Sequence, residues 1–307
     1  MPGFKASSMD IALFRVADTS VVTEDKLKRH AFRPIDDLKG EESAAGWVGF
    51  GDDTEWLAPV EHGEWMVWSL RMDRRSVPGP VVSKYLAEAV REEAGKAEDG
   101  KVSRTRRKEL KELVRSKLLA RAEPVPTVAD VALNVHSGLL LVGTKSGGML
   151  EKFMECFRGA FGCEPAEVRF REDMPELLRT LYDEGLRASL GGHDFELSEA
   201  GLAALEGSTA EGEKVAITAR NDRAAVDAGL EKGFGLVRLG VGMLRDNDSS
   251  LAWTFALDGA TEGCATLSGV KTPAASGGDD NPDAALLEKL YLLEQAAGVA
   301  LELFERR

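Results

Sequence analysis

The sequence predicts an α+β fold of small antiparallel sheets with packed helices. Three observations indicate this class: β-rich aromatic runs with one short helix in residues 1–76, two consecutive amphipathic helices in residues 77–122, and a β-hairpin followed by helices in residues 123–192. The chain has 307 residues, of which 43% are hydrophobic and 30% charged, which is typical of a globular protein with room for several such units.

The N-terminal α/β region, residues 1–76, is predicted from short runs of contrasting pattern. Residues 11–16 form an apolar run typical of a strand, and residues 25–32 have the spacing of a short helix. The aromatic runs 47–50 and 65–72 are further predicted strands. In the last of these, apolar side chains occupy both alternating sets, so we expect both of its faces to be partly covered.

Residues 77–122 are predicted to form a helical hairpin. After Pro78 and Pro80, apolar residues recur every three to four positions from about Val81. A second helix over about 103–120 carries a row of apolar residues that should pack against the first helix. That row consists of Leu110, Leu113, Val114 and Leu118.

Residues 123–192 are predicted to form a β-hairpin with two helices. Strands over 131–135 and 139–143 flank a Ser-Gly turn, and helices over 149–161 and 177–185 follow.

The remainder is predicted to be a second α/β region, a linker and a final helix. Residues 193–271 alternate short strands with one helix, at 215–218, 223–232, 234–244 and 251–257. Residues 272–283 are small and acidic and form the predicted linker. Residues 284–307 form the C-terminal helix.

The sequence argues against metal, cofactor and membrane functions. The three cysteines and four histidines are scattered and lack the spacing of a zinc site, so we expect reduced thiols, no metal and no cofactor. Apolar runs fall far short of the ~20 residues of a membrane helix, and the N-terminus has no signal-peptide pattern. These observations predict a cytoplasmic protein.

Two motifs bear on chemistry at phosphates. The loop 144–148 (TKSGG) resembles a phosphate-binding loop only superficially, because the order of its residues is not that of a P-loop. Several carboxylates could bind metal ions for phosphodiester cleavage, although an acidic surface or linker explains them more simply. They are Glu172, Asp173, Glu176, Asp279 and Asp280. We assign no catalytic residue, and a DNA-processing nuclease stays an alternative.

Positive charge is concentrated in one segment of an acidic chain. The sequence contains 39 Lys and Arg against 52 Asp and Glu, a net charge of −13, yet residues 101–121 carry nine basic and two acidic side chains. Net charge governs solubility and long-range repulsion, whereas binding depends on where the charges lie. The segment 101–121 is therefore the candidate binding element.

Five of these cations share one face of the predicted helix, and we call them the basic stripe. On an ideal helix they fall within an arc of about 100°, whereas Leu110, Leu113 and Val114 lie on another face. Like charges at this spacing repel by a few tenths of a kcal/mol per pair, a cost that a phosphate backbone would reverse. The stripe consists of Arg104, Arg107, Lys108, Lys111 and Arg115.

The stripe favours a nucleic-acid duplex over a small ligand, bound without sequence preference because the chain shows no recognition-helix pattern. Two alternatives stay open. The stripe could be a solvated helix face neutralised by Glu88, Glu92 and Glu93 of the preceding helix. It could also be a module that docks an acidic protein.

Six stretches in order carry a resemblance to a known family. They are Phe4-Lys5 followed by IALFRV, AFRPIDD at 31–37 leading to Gly46-Trp47-Val48, VPGPVVSKYLAEAV at 77–90, RKELKELVRSKLLARA at 107–122, NVHSGLLLVGTKS at 134–146, and AITARNDRAAVDAGLEKGFGLVRLGV at 216–241. None is diagnostic alone, but the ordered set resembles the recombination-associated protein RdgC family.

The resemblance implies an RdgC-like homodimer closed into a ring around duplex DNA. It implies sequence-independent binding in a positively charged central hole, restraint of a recombinase by competition for DNA, a cytoplasmic, nucleoid-associated location, and no enzyme activity. By position it adds four DNA-binding residues to the five of the stripe. These are Arg220, Asn221 and Arg223 on a loop and Arg238 on the following strand.

Overall fold

The computed structural model describes residues 3–35, 42–51, 63–96, 100–209, 211–246, 248–259, 263–274 and 282–306. Within these ranges the strands are β1 (Met9–Arg15), β2 (Ser43–Val48), β3 (Trp65–Arg74), β4 (Val125–Asn134), β5 (Leu139–Val142), β6 (Ala166–Glu167), β7 (Leu186–Leu190), β8 (His193–Ser208), β9 (Lys214–Arg220), β10 (Gly235–Arg245), β11 (Asp248–Asp258) and β12 (Thr266–Lys271).

The helices confirm the α+β class. They are α1 (Glu24–Arg29), α2 (Gly79–Lys96), α3 (Arg104–Leu119), α4 (Gly147–Phe161), α5 (Met174–Glu184), α6 (Arg223–Glu231) and α7 (Pro282–Phe304). A single 3-10 turn, Thr19–Val21, precedes α1 in the described ranges.

The chain divides into two compact units. The first comprises Met1–His30, Val48–Leu70 and Ala129–Arg307, and the second comprises Ala31–Trp47 and Arg71–Val128. β3 and β4 therefore pass from one unit into the other along the chain. The boundaries predicted from the sequence at residues 76, 122, 192 and 271 stay predictions.

One large antiparallel sheet organises the first unit, and the prediction of small sheets is wrong. The strand order is β3-β4-β5-β1-β12-β11-β10-β8-β7, with β6 beside β1 and β9 beside β8. β12 joins the two halves, because it pairs with β1 on one side and with β11 on the other. Such pairing between distant segments leaves no local pattern in the sequence.

β1 buries both of its faces in this unit. Phe14 packs against Phe153 of α4 with ring centroids 5.4 Å apart. Leu13, which points to the other face, belongs to the core cluster that includes Leu290 and Leu293 of α7. Helices α4 and α7 therefore lie on opposite faces of the sheet.

β7, β8 and β12 are strands that the sequence pattern does not predict. The 16 residues of β8 include several Glu, Ala and Gly residues, which have low strand propensity. Pairing compensates, because β8 bonds to β7 and β9 along one edge and to β10 along the other. Of the predicted linker 272–283, residues 275–281 lie outside the described residues, and α7 already begins at Pro282.

The second unit contains the two predicted helices, α2 and α3, packed against each other. Val82 is buried in α2, and Leu110 and Leu119 are buried in α3. Leu113, which the sequence assigns to the packing side, is instead 50% exposed. Few apolar side chains of this hairpin are buried, so the ion pair between α2 and α3 also helps to hold the two helices together.

Candidate nucleic-acid interface

The helix that carries the basic stripe begins at a defined cap. The Ser103 side chain accepts a hydrogen bond from the Arg106 backbone N–H at 3.2 Å, which satisfies one of the free N–H groups of the first turn. Burial of Leu110 and Leu119 then orients α3 within the second unit. The stripe lies away from Leu110 and is exposed along its whole length.

Carboxylates of α2 bond to cations outside the stripe. Glu93 accepts a hydrogen bond from Arg106 Nε at 2.7 Å, and Glu92 accepts one from Lys96 at 2.7 Å. The hydrogen bonds that Arg106 donates to Glu109 and then to Glu93 raise the pKa of Arg106. The acids that were expected to neutralise the stripe are therefore bonded elsewhere in these two cases.

Four cations of the stripe have no carboxylate oxygen within 4.0 Å in the part of the chain that the structure describes. They are Arg104, Arg107, Lys108 and Lys111. The fifth, Arg115, lies 3.5 Å from Glu42, measured from Nη2 to Oε2. Apart from its C-terminal member, the stripe is thus a row of exposed charged groups with no carboxylate partner among the described residues.

A second group of predicted residues lies on one turn of the first unit. Arg220 ends β9, Asn221 follows with a backbone φ of 52°, and Arg223 begins α6. All three side chains are exposed. The Arg223 guanidinium lies 4.6 Å from the ring centroid of Tyr182, a cation–π contact.

The aromatic platform under Arg223 is itself anchored. The Tyr182 hydroxyl donates to Asp227 at 2.8 Å, and burial, followed by this hydrogen bond, raises the pKa of Tyr182 to about 12. The ring is therefore neutral at any physiological pH. Sequence analysis missed Tyr182, because the side chain comes from α5, far along the chain from the turn.

Arg238, unlike most of the other predicted residues, already has a close carboxylate partner. Its Nη2 lies 2.7 Å from Asp258 on the paired strand β11. The register places Arg238 opposite Ala204 and Ala204 opposite Thr218, so Arg238 and Arg220 lie on one stretch of sheet, two strands apart. Asp258 is twenty residues from Arg238, and the sequence holds no signal of this pairing.

The nine predicted residues fall into the two units. The stripe belongs to the second unit, whereas the turn and Arg238 belong to the first. Each group is brought together locally: five side chains on one helix face, three on one turn, and one on the neighbouring sheet.

Two carboxylates of the nuclease alternative, Glu172 and Asp173, are engaged with arginines. Asp173 accepts two hydrogen bonds from Arg171, at 2.9 and 2.6 Å, which lower its pKa, and Glu172 lies 2.6 Å from Arg306. They line a surface cavity of about 610 Å³ together with other charged side chains. Asp279 and Asp280 lie outside the described residues.

The described ranges also bear on metal binding and on membrane insertion. These ranges hold no group of three or more His, Cys, Asp or Glu side chains placed to bind a metal ion. Among the same residues, no helix combines the length and apolar character needed to span a bilayer.

A family model matches about two thirds of the chain. The family model described as "Putative exonuclease, RdgC" matches residues 9–221. This range includes the stripe, Arg220 and Asn221, and it ends before Arg223 and Arg238. No curated protein matches the chain significantly.

Proposed function

The chain belongs to the RdgC family, and we propose that it is a recombination-associated protein that binds duplex DNA without sequence preference through the basic stripe. One observation carries the proposal: four stripe cations on one exposed helix face have no carboxylate within 4.0 Å among the described residues. A row of like charges without internal partners is destabilising alone and becomes favourable on a polyanion.

The length of the stripe suits a phosphate backbone. Arg104 and Arg115 are about 16 Å apart along the helix at 1.5 Å per residue, and a duplex presents a negative charge every ~1.7 Å of its axis. Five phosphate contacts would lower log K by about 4.5 for each tenfold rise in salt, or about 500-fold in affinity between 50 and 200 mM.

The overall charge of −13 does not prevent this binding. Charges further away than the Debye length, about 10 Å at 0.1 M salt, are largely screened, whereas a phosphate in contact with the stripe meets its cations at full strength. The acidic remainder would slow association at low salt more than it would weaken the formed complex.

We extend the proposal to the family's quaternary form. Two copies would close a ring around the duplex, Arg220, Arg223 and Arg238 would add contacts from the first unit, and occupancy of DNA would limit recombinase filaments. A closed ring predicts slower dissociation from a covalently closed circle than from the same DNA linearised, together with a solution mass twice that of the monomer.

The decisive experiment is a salt titration of duplex binding by fluorescence anisotropy. We expect Lys111→Gln to weaken binding several-fold for every sequence tested and to reduce the salt slope by about 1. Lys117→Gln is the matched control, because Lys117 is an exposed cation on another side of the same helix. Equal effects of the two variants would contradict a role for the stripe.

The printed family description also names an exonuclease, whereas our proposal assigns no catalytic step to this chain. Incubation of an end-labelled duplex with Mg²⁺ or Mn²⁺ tests this directly. Metal-dependent shortening of the label that Glu172→Gln or Asp173→Asn abolishes would establish the nuclease instead. Absence of DNA binding at 50 mM salt, with retention of an acidic polypeptide, would favour protein docking.

A further inference from the structure

The turn between β9 and α6 is set by its backbone rather than by side-chain packing. Asn221 has a φ of 52°, in the left-handed region that residues other than glycine rarely adopt. Its N–H donates to the Gly201 carbonyl of β8 at 2.5 Å. Asparagine tolerates this conformation better than most residues, whereas alanine in it costs about 1–2 kcal/mol.

A bulge in β8 provides the other side of this contact. Ala203 pairs with Leu239 and Glu199 with Val241, so three residues of β8 oppose Gly240 alone. Gly201 lies in the bulge with a φ of 77°, and its N–H donates to the Glu199 carboxylate.

Gly201 and Asn221 are in close contact. A Cβ atom at Gly201 would lie 2.1 Å from Asn221 Oδ1, so any larger residue at this position would displace the asparagine. The bulge and the turn therefore fix each other.

The turn determines where two cations point. Arg220 is the last residue of β9, paired with Leu202 beside the bulge, and Arg223 begins α6 two residues after the left-handed residue. Asp222 between them caps α6 by accepting from the Ala225 N–H at 3.0 Å. A change of φ at Asn221 would redirect β9 relative to α6, and with it Arg220 relative to Arg223.

We propose that Asn221 is a positioning residue: its left-handed backbone, held against Gly201, aims Arg220 and Arg223 at one stretch of the phosphate backbone, and its own amide contributes no required contact to DNA. This inference rests on the proposed DNA binding and revises the contact role that the family resemblance implies for Asn221.

The test compares Asn221→Gly with Asn221→Ala in the anisotropy salt titration. Glycine adopts the required φ and lacks the amide, so we expect its affinity to stay within twofold of the parent chain. Alanine also lacks the amide but disfavours the φ, so we expect about 3- to 10-fold weaker binding and a salt slope lower by about 1 to 2. The slope counts phosphate contacts, which a general loss of folded protein would leave unchanged.

Substitutions at two glycines test the geometry of the same turn independently. Gly201→Ala should reproduce the loss, and adding Asn221→Gly to it should recover part of the affinity, because the clash with Oδ1 is removed. Gly212→Ala is the matched control: it has a φ of 83° at the other end of the same hairpin, with no atom within 4 Å of the added Cβ. We expect it to bind like the parent chain.

The outcomes separate the two proposals. Equal losses in Asn221→Gly and Asn221→Ala would show that the amide touches DNA, and equal retention would show that the turn geometry is irrelevant, so either result overturns the positioning role. If Asn221→Ala does not fold, the comparison of Gly201→Ala with the double variant Gly201→Ala and Asn221→Gly provides the test. Unchanged binding in Gly201→Ala, or no recovery in the double variant, would overturn the positioning role. If Lys111→Gln leaves binding unchanged in the same assay, the stripe proposal fails, whatever the turn variants do.

Discussion

Arg106 of α3 lies 2.7 Å from Glu93 of α2, measured from its Nε to the carboxylate oxygen. The same guanidinium donates through Nη1 to Glu109 at 2.9 Å. On the helix, Arg106 lies about 160° from Arg104, on the opposite side from the stripe. One cation of the basic segment therefore joins the two helices, and four of the five stripe cations are left for an external anion.

This division of roles predicts opposite effects of two substitutions on α3. Arg106→Gln removes the link to Glu93, and because the pair is exposed to solvent, the loss of stability should be small and lower the Tm by no more than about 2 °C. DNA affinity should change less than twofold.

Lys111→Gln should do the reverse, leaving the Tm unchanged while it weakens DNA binding. Differential scanning fluorimetry and anisotropy on the same preparations measure both quantities. A fall in DNA affinity for Arg106→Gln that matches the fall for Lys111→Gln would contradict the division.

Neutralisation of Arg238 by Asp258 gives a second prediction. Asp258→Asn keeps the size of the side chain and removes its charge, so Arg238 should become available to phosphate. We expect about twofold tighter DNA binding and a salt slope larger by up to about 1.

Asp183→Asn is the control for this change. It removes the carboxylate partner of Arg179, an arginine outside the nine predicted DNA-binding residues. Tighter binding in both variants would reflect total charge alone, and unchanged binding in Asp258→Asn would remove Arg238 from the contact set.

The C-terminal end of the stripe carries a third prediction. Glu42 lies 3.5 Å from Arg115 and competes with phosphate for it. Glu42→Gln should tighten DNA binding by up to about fivefold, because a half-exposed pair of this kind contributes at most about 1 kcal/mol.

The gain in DNA affinity from Glu42→Gln should depend on the presence of Arg115. In an Arg115→Gln background, Glu42→Gln should leave the affinity unchanged, and a double-mutant cycle in the anisotropy assay measures this. An equal gain in both backgrounds would assign the effect to net charge rather than to the pair.

Local periodicity accounts for what the sequence predicts well. The second helix is predicted over 103–120 and lies at 104–119, and the helix predicted over 149–161 lies at 147–161. Both have a cap or a terminating glycine next to a strong apolar row, which are short-range signals.

Long-range pairing accounts for what the sequence misses. β8 has the composition of an exposed segment and is a strand only because β7, β9 and β10 bond to it. At the candidate site, periodicity places the stripe on one helix face. Periodicity does not predict that Glu93 bonds to Arg106 rather than to a stripe cation, or that Asp258 pairs with Arg238.

Two carboxylates around a buried asparagine give a pH-dependent prediction. Asn134 is buried, and its Nδ2 donates to Glu294 Oε1 at 2.9 Å, with Glu64 Oε2 3.5 Å from the same nitrogen. Burial, and then the charge of Glu64, raise the pKa of Glu294. The fold therefore favours the protonated Glu294, and this contribution to the free energy of unfolding is complete below the unfolded pKa of glutamate and is lost as the pH rises through the folded value.

Glu294→Gln should consequently be more stable than the parent chain at pH 7.5, because glutamine accepts from Asn134 and donates to Glu64 without a buried charge. Because Glu294 is only half-buried and solvent partly screens its charge, we expect a Tm higher by no more than about 2 °C, and a difference that shrinks as the pH falls to about 4. Glu302→Gln, an exposed position on the same helix, should show no such pH-dependent difference. A Tm gain for Glu294→Gln that is constant from pH 4 to 7.5 would show that titration of Glu294 does not cause it, because a raised pKa acts only above the pH at which the carboxyl begins to ionise.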